Sequence, residues 1–160
     1  MKKCRGKSTL FLLVLLLASF ISNAQITWDG SSSTDWNTTA NWSTNSVPTS
    51  SDDVIIPDVT NDPVLSSSSD VCKDMTIQNG AILTSNNSSY KLTASSITVN
   101  DGGSLVISNG DVEITGTSDI NGILEIGTGT FDANGTFDAT GGAVTFTDAG
   151  RLELAGTVTS

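Results

Sequence analysis

Nine glycines between Gly103 and Gly156 stand at 103, 110, 116, 122, 129, 135, 142, 150 and 156. Their steps recur in threes with a period of about 19–21 residues, the length of one solenoid coil. Two places after each glycine come Leu105, Val112, Ser118, Leu124, Phe131, Phe137, Val144, Leu152 and Val158. Four places after come Ile107, Ile114, Ile120, Ile126, Ala133, Ala139, Phe146, Leu154 and Ser160. Each set is apolar at eight of nine positions. An apolar residue at every second place puts one face of a short strand into a core, and the glycine ahead of it permits a tight turn. Three such strands per repeat, stacked on the next three, make an all-β, three-faced parallel β-helix, a β-solenoid expected to be right-handed. A fold class follows from this pattern; a function does not.

Residues 1–24 read as a signal peptide. Lys2, Lys3, Arg5 and Lys7 precede an unbroken apolar run over residues 10–18, and Ser22, Asn23 and Ala24 place small residues at a cleavage site. The run is shorter than the ~18 apolar residues of a membrane span, so no direct membrane insertion is expected after cleavage. Loss of this leader leaves Lys73, Lys91 and Arg151 against 17 carboxylates, a formal charge of −14. Such a surface repels phosphate, which argues against nucleic acid and anionic lipid as partners. Cys72 is then the one remaining thiol, expected as a small buried apolar residue, and no internal disulfide can staple the domain.

Beyond the leader the composition divides the chain. Residues 25–65 are rich in Ser, Thr, Asn and Asp, yet hold Trp28, Trp36 and Trp42, all the tryptophans of the chain. A solenoid needs its first coil covered, and this zone is expected to form an amino-terminal cap in which the tryptophans join Val47, Ile55 and Ile56. The competing expectation is a platform of exposed indoles that stacks a sugar ring. Residues 66–160 carry the coils: a half-coil at 75–84, a polar insertion at 85–89, then the glycine grid. The grid runs into Gly156-Thr157-Val158-Thr159-Ser160 without a polar or aromatic cap, so further chain or a partner is expected to cover that end.

The stretch Ile26-Thr27-Trp28-Asp29-Gly30, then Thr34-Asp35-Trp36, Asn41-Trp42-Ser43, Val47-Pro48 and Asp52-Asp53-Val54-Ile55-Ile56-Pro57, resembles the start of large secreted bacterial surface proteins. These are β-helix proteins of the adhesin and autotransporter-like kind, often exported by the type IX route. The segment 75–84 is similar to their first coil. The resemblance covers residues 1–108 and implies a secreted or outer-surface location and a part in adhesion or display. It implies no particular ligand, and the carboxy-terminal sorting domain of such proteins is not in this sequence.

The residue inventory bounds the chemistry. Without histidine there is no Ser-His-Asp or Cys-His nucleophile and no histidine metal site, and two cysteines cannot build a thiolate zinc site. Parallel β-helices do host polysaccharide lyases and glycosidases, so the rival class is the front portion of a carbohydrate-active enzyme. A lyase of the pectate type needs a basic residue to take the proton, and Lys73, Lys91 and Arg151 sit far apart in the repeat. A glycosidase needs two carboxylates about 5 to 9.5 Å apart, a separation that stacking alone supplies. No catalytic residue is assigned.

Adjacent coils lie about 4.8 Å apart, so equivalent outward positions form columns. Glu113, Asp132 and Glu153 make one; Asp119 and Asp138, ending in Thr159, make another. Like charges at that spacing repel unless screened, and oxygen-rich columns suit calcium, which takes six to eight oxygen ligands. Calcium is the one cofactor these columns would take; a solvated acidic face is the plainer expectation. Thr117, Thr136 and Thr157 form a third column, expected to stiffen the ladder through its hydroxyls rather than to bind ice. Asn37, Asn41, Asn86, Asn87 and Asn134 match the glycosylation sequon, which a Ser/Thr-rich chain produces readily by chance. The reading is a secreted, non-catalytic structural or adhesion module: a rigid acidic solenoid that displays or spaces a binding region. Extracellular polysaccharide or another surface protein is its expected partner, with Trp28, Trp36 and Trp42 as the candidate carbohydrate contacts.

Overall fold

A computed structural model describes residues 25–159; the expected leader over residues 1–24 lies outside the described residues. The chain winds as a three-faced parallel β-solenoid. Its first face is a seven-stranded sheet ordered β1 (Gln25–Thr27), β2 (Asp53–Ile56), β4 (Asp74–Ile77), β6 (Ser96–Val99), β8 (Ser118–Ile120), β11 (Phe137–Asp138) and β14 (Val158–Thr159). The other strands are β3 (Asp70–Val71), β5 (Ile82–Ala94), β7 (Ser104–Ile114), β9 (Ile123–Ile126), β10 (Thr130–Ala133), β12 (Ala143–Phe146) and β13 (Arg151–Leu154). They form a second sheet that bends into two faces. The bend runs through the long strands: β7 pairs with β9 over Ser104 to Ile107 and with β10 over Asp111 to Ile114.

Register sets the coil length. Val54, Met75, Ile97, Ser118, Phe137 and Val158 stack in one inward column, so each turn of the chain is nearly as long as the one before it. The apolar alternation of the sequence becomes the core: Leu105, Ile107, Val112, Ile114, Ile120, Leu124, Ile126 and Phe131 are fully buried. Every second residue points inward from each strand, so the three faces fill one continuous apolar interior. The same positions in the last described coil are more open, with Phe146 53% exposed and Leu154 and Val158 also at the surface. Ser118 is the one polar side chain of the grid's inward set that is fully buried, and its hydroxyl has no hydrogen-bond partner.

The grid glycines act differently from the expectation. Of the nine, Gly110 alone has a positive φ, at +88°. Gly116, Gly135 and Gly156 stack at the corner that leads into the first face. A Cβ on Gly135 would run into the Gly116 carbonyl, and one on Gly156 into the Gly135 carbonyl. Close approach of successive coils, more than turn geometry, is what excludes a side chain there.

The amino-terminal zone is continuous with the coils. Ile26 pairs with Val54 in the first sheet, and an isolated bridge joins Val64 to Thr84. Between β1 and β2 the chain leaves the ladder, makes a 3-10 turn at Thr39–Asn41, and returns across the end of the stack. The polar insertion lies within β5, where the register with β7 shifts on both sides of Asn86.

Candidate functional site

The tryptophan cluster sits where the cap loop crosses the first coil. Trp28 donates its main-chain N–H to the Ile55 carbonyl, and Ser43 donates to the Thr27 carbonyl, which lays residues 28–43 over the stack. Trp42 meets Trp28 and Trp36 edge to face, at centroid distances of 4.9 and 4.7 Å and interplanar angles of 81° and 78°. Trp42 Nε1 donates to the Trp36 carbonyl and Trp28 Nε1 to the Asn61 carbonyl, both at 2.7 Å. The three side chains are 0, 0 and 1% exposed for Trp28, Trp36 and Trp42. This corrects the sugar-platform expectation. Stacking a pyranose needs an open ring face, and here each face lies against protein.

Two polar side chains hold the cap: Asn41, which the sequence offered only as part of a motif and a sequon, and Asp70, which it did not single out. Asn41 is fully buried with all its capacity used: Oδ1 accepts from the Ser32 and Ser33 N–H groups at 2.9 and 2.8 Å, and Nδ2 donates to Ser33 Oγ and the Asp35 carbonyl. Asp70, the first residue of β3, is buried and accepts from Asn37 Nδ2 at 2.8 Å and from the Ser66 and Ser67 N–H groups. Burial raises its pKa against the lowering effect of those donors. Two of the five sequons are thereby engaged, since the Asn37 and Asn41 amides hold the cap together. A buried asparagine among small polar residues carries no periodic signal, which is why the sequence does not reveal it.

The acidic columns form in the expected register. Asp132 lies between Glu113 and Glu153, and Asp138 between Asp119 and Thr159. Each carboxylate has a partner, and Asn134 serves two of them. Lys91 Nζ reaches Glu113 Oε2 at 2.7 Å, Asn134 Nδ2 lies 3.3 Å from Glu113 and 3.4 Å from Asp132, and Arg151 reaches Glu153 at 3.4 Å. Glu113 in turn raises the Lys91 pKa through that hydrogen bond. On the first face Asp119 accepts from Asn121 Nδ2 at 2.9 Å, and Asp138 accepts from the Thr140 N–H and hydroxyl at 2.9 and 2.8 Å. The two Thr140 bonds hold the Asp138 carboxyl below its ordinary range. Among the described residues no group of three acidic, histidine or cysteine side chains converges as ion ligands would.

A further charged group lies upstream of the grid. Lys73 Nζ bridges Asp53 and Asp74 at 2.9 and 2.8 Å, and Ser96 Oγ donates to Asp74 at 2.7 Å. Asp74 raises the Lys73 pKa, with Asp53 next, and Lys73 and then Ser96 lower that of Asp74. Asp53 and Asp74 occupy neighbouring coils, as the Val54–Met75 pairing requires. That spacing was the one sequence signal able to reveal them. Cys72 lies buried beside this network, its thiol pushed up to about 12 by burial and by Asp74 and Asp53, so it stays protonated and unreactive at neutral pH.

Lys73, Lys91 and Arg151 are all ion-paired, Lys73 from the bend just ahead of β4, Lys91 from β5 and Arg151 from β13. Lys91 and Arg151 stand at opposite ends of one outward column, Lys91-Asp111-Thr130-Arg151. Residues 27–150 match the model of a family described as a domain of unknown function (DUF8693). No curated protein and no solved structure matches the sequence.

Proposed function

The chain belongs to the DUF8693 family, and from its geometry we propose that it is a secreted, non-catalytic module of a bacterial cell surface. In this role it is a rigid acidic rod that spaces or displays a binding region. The observation that carries this reading is the engagement of its chemically capable side chains in the fold. The indoles seal one end, the three cations neutralise neighbouring carboxylates, and the thiol is buried. A solenoid held this way transmits position along its axis, because each coil is fixed by backbone ladders to the next.

The reading also gives the rod a direction. One end is covered by the tryptophan loop, while Phe146, Leu154 and Val158 stand exposed at the other. Along the side, the second face pairs Ile82, Ser104, Ile123 and Ala143 in one outward column and Thr84, Val106, Glu125 and Thr145 in the next. This face, with Ile82 and Ile123 exposed and one carboxylate among those positions, is where another surface protein would rest.

The test is surface accessibility in the native organism, together with the intact mass of the native product. Antibody to residues 25–159 should label intact cells, and externally added protease should remove the label. Material confined to the cytoplasm would overturn the reading. Release of unsaturated or reducing sugar ends from a polysaccharide panel by the purified protein would replace it with an enzyme.

A further inference from the structure

Four Asn-Gly pairs occur along the coils: Asn79-Gly80, Asn109-Gly110, Asn121-Gly122 and Asn134-Gly135. In such a pair the glycine nitrogen can attack the asparagine side-chain carbonyl carbon, since glycine has no Cβ to obstruct the approach. The fold holds the four differently. Asn79 Nδ2 donates to the Asp101 carbonyl at 2.9 Å, and Gly80 N donates to the Gly102 carbonyl. Asn121 Nδ2 donates to Asp119 at 2.9 Å, and Gly122 N donates to the Val99 carbonyl. In both pairs the amide and the nucleophile are engaged elsewhere. The Asn134 amide is drawn toward Glu113 and Asp132.

Asn109 is the one of the four whose side chain bonds to its own glycine. Its side chain turns back on its own main chain, where Gly110 N donates to Asn109 Oδ1 at 2.9 Å. The carbon bonded to that oxygen is thereby held beside the glycine nitrogen. The arrangement is fixed from both sides: Ser85 Oγ donates to the Asn109 main-chain carbonyl at 2.8 Å, and Gly110 is set at a φ of +88°. No larger residue could replace this glycine, because a Cβ would meet the Asn87 carbonyl at 2.5 Å and the Tyr90 carbonyl at 2.7 Å.

We infer that Asn109-Gly110 is a built-in deamidation site, a modification that consumes one water and releases one ammonia. Solvent base takes the proton from Gly110 N, and the nitrogen bonds to Asn109 Cγ. The Cγ–Nδ2 bond then breaks, and the amide leaves as ammonia with a proton returned from water. This closes a five-membered succinimide. Water adds to either imide carbonyl and the corresponding C–N bond opens. One product is aspartate; the other is isoaspartate, with the main chain rerouted through the side-chain carbon. No oxidant, metal or partner enters the balance. The altered residue lies where β5 and β7 pair through Asn86 and Asn109, so isoaspartate lengthens one strand of that corner and loosens it.

The experiment follows the folded full chain in mildly alkaline buffer made with heavy-oxygen water, with peptide mass spectrometry at intervals. The Asn109 peptide is expected to exchange its amide for a labelled carboxyl several-fold faster than the peptides of Asn79, Asn121 and Asn134. In urea the four rates should converge, which shows that the fold and not the dipeptide sets the order. Asn109→Ser should lose this product and leave the other three rates unchanged. Earlier conversion at any of the other asparagines in the folded chain would overturn the inference. So would four equal rates when folded, or the same ranking in urea.

Discussion

Trp42 ties the cap together, since its ring meets two other indoles and its N–H satisfies the Trp36 carbonyl. Replacing it by alanine removes a large buried side chain with little scope for collapse, and Trp42→Ala is expected to cost about 3–5 kcal/mol in urea unfolding. Trp42→Phe keeps most of the apolar volume but leaves the Trp36 carbonyl without its donor, a loss of about 1–3 kcal/mol. Asp74 gives the residue-scale dependence on pH. Lys73 and Ser96 lower its folded pKa below the ordinary 3.8. Its contribution is therefore present above that value and is lost as pH falls through the lowered pKa. The group is partly exposed, so the effect is about 0.2–1 kcal/mol. Acid unfolding of Asp74→Asn should lack that portion of the pH dependence below 3.8. Asp70 works in the opposite sense: burial raises its pKa, so its contribution is present at low pH and fades as pH rises through the raised value.

The corner glycines are the test at the scale of the element. Gly135→Ala should destabilise by about 1–3 kcal/mol, because its Cβ meets the Gly116 carbonyl and the coil must shift to admit it. Thr136→Ala, exposed beside it, should stay within about 0.5 kcal/mol. Comparing the two unfolding midpoints separates coil spacing from simple loss of strand propensity. This corner also marks how far the fold was legible in the sequence. The period of glycines and alternating apolar residues gave the strands, the inward set and the Glu113-Asp132-Glu153 and Asp119-Asp138 columns, because coil length varies little beyond Gly103. The reason for the glycines was not legible, since a turn and a close contact select the same residue. Upstream, the chain between Ile26 and its partner Val54 makes a longer excursion than any later coil, and no glycine grid marks the coils there, so the one-coil spacing of Asp53 and Asp74 was the only trace of their pairing. The tryptophans were ambiguous for another reason. Polar neighbours surround them in sequence, and only the return of the loop across the stack encloses them.

At the scale of the whole molecule, charge and order along the axis matter most. Residues 25–160 carry a formal −14, and repulsion between coils opposes their stacking. Salt screens exposed charges beyond about 10 Å at 0.1 M, so the melting temperature should rise with sodium chloride. Because Lys91, Asn134, Arg151, Asn121 and Thr140 already partner the acidic columns, calcium should raise it no further than magnesium at equal ionic strength. A gain specific to calcium, read by calorimetry with and without chelator, would place an ion on the columns after all. The placement of the indoles has a spectroscopic consequence. All three emitters lie within residues 28–42, and no tryptophan occurs in the rest of the rod. Intrinsic emission is therefore a local signal from one terminus, while far-ultraviolet dichroism averages over every coil. Emission that shifts to the red at a lower temperature than the dichroism changes would show the rod opening from its sealed end; coincident curves would show that seal and coils melt as one unit.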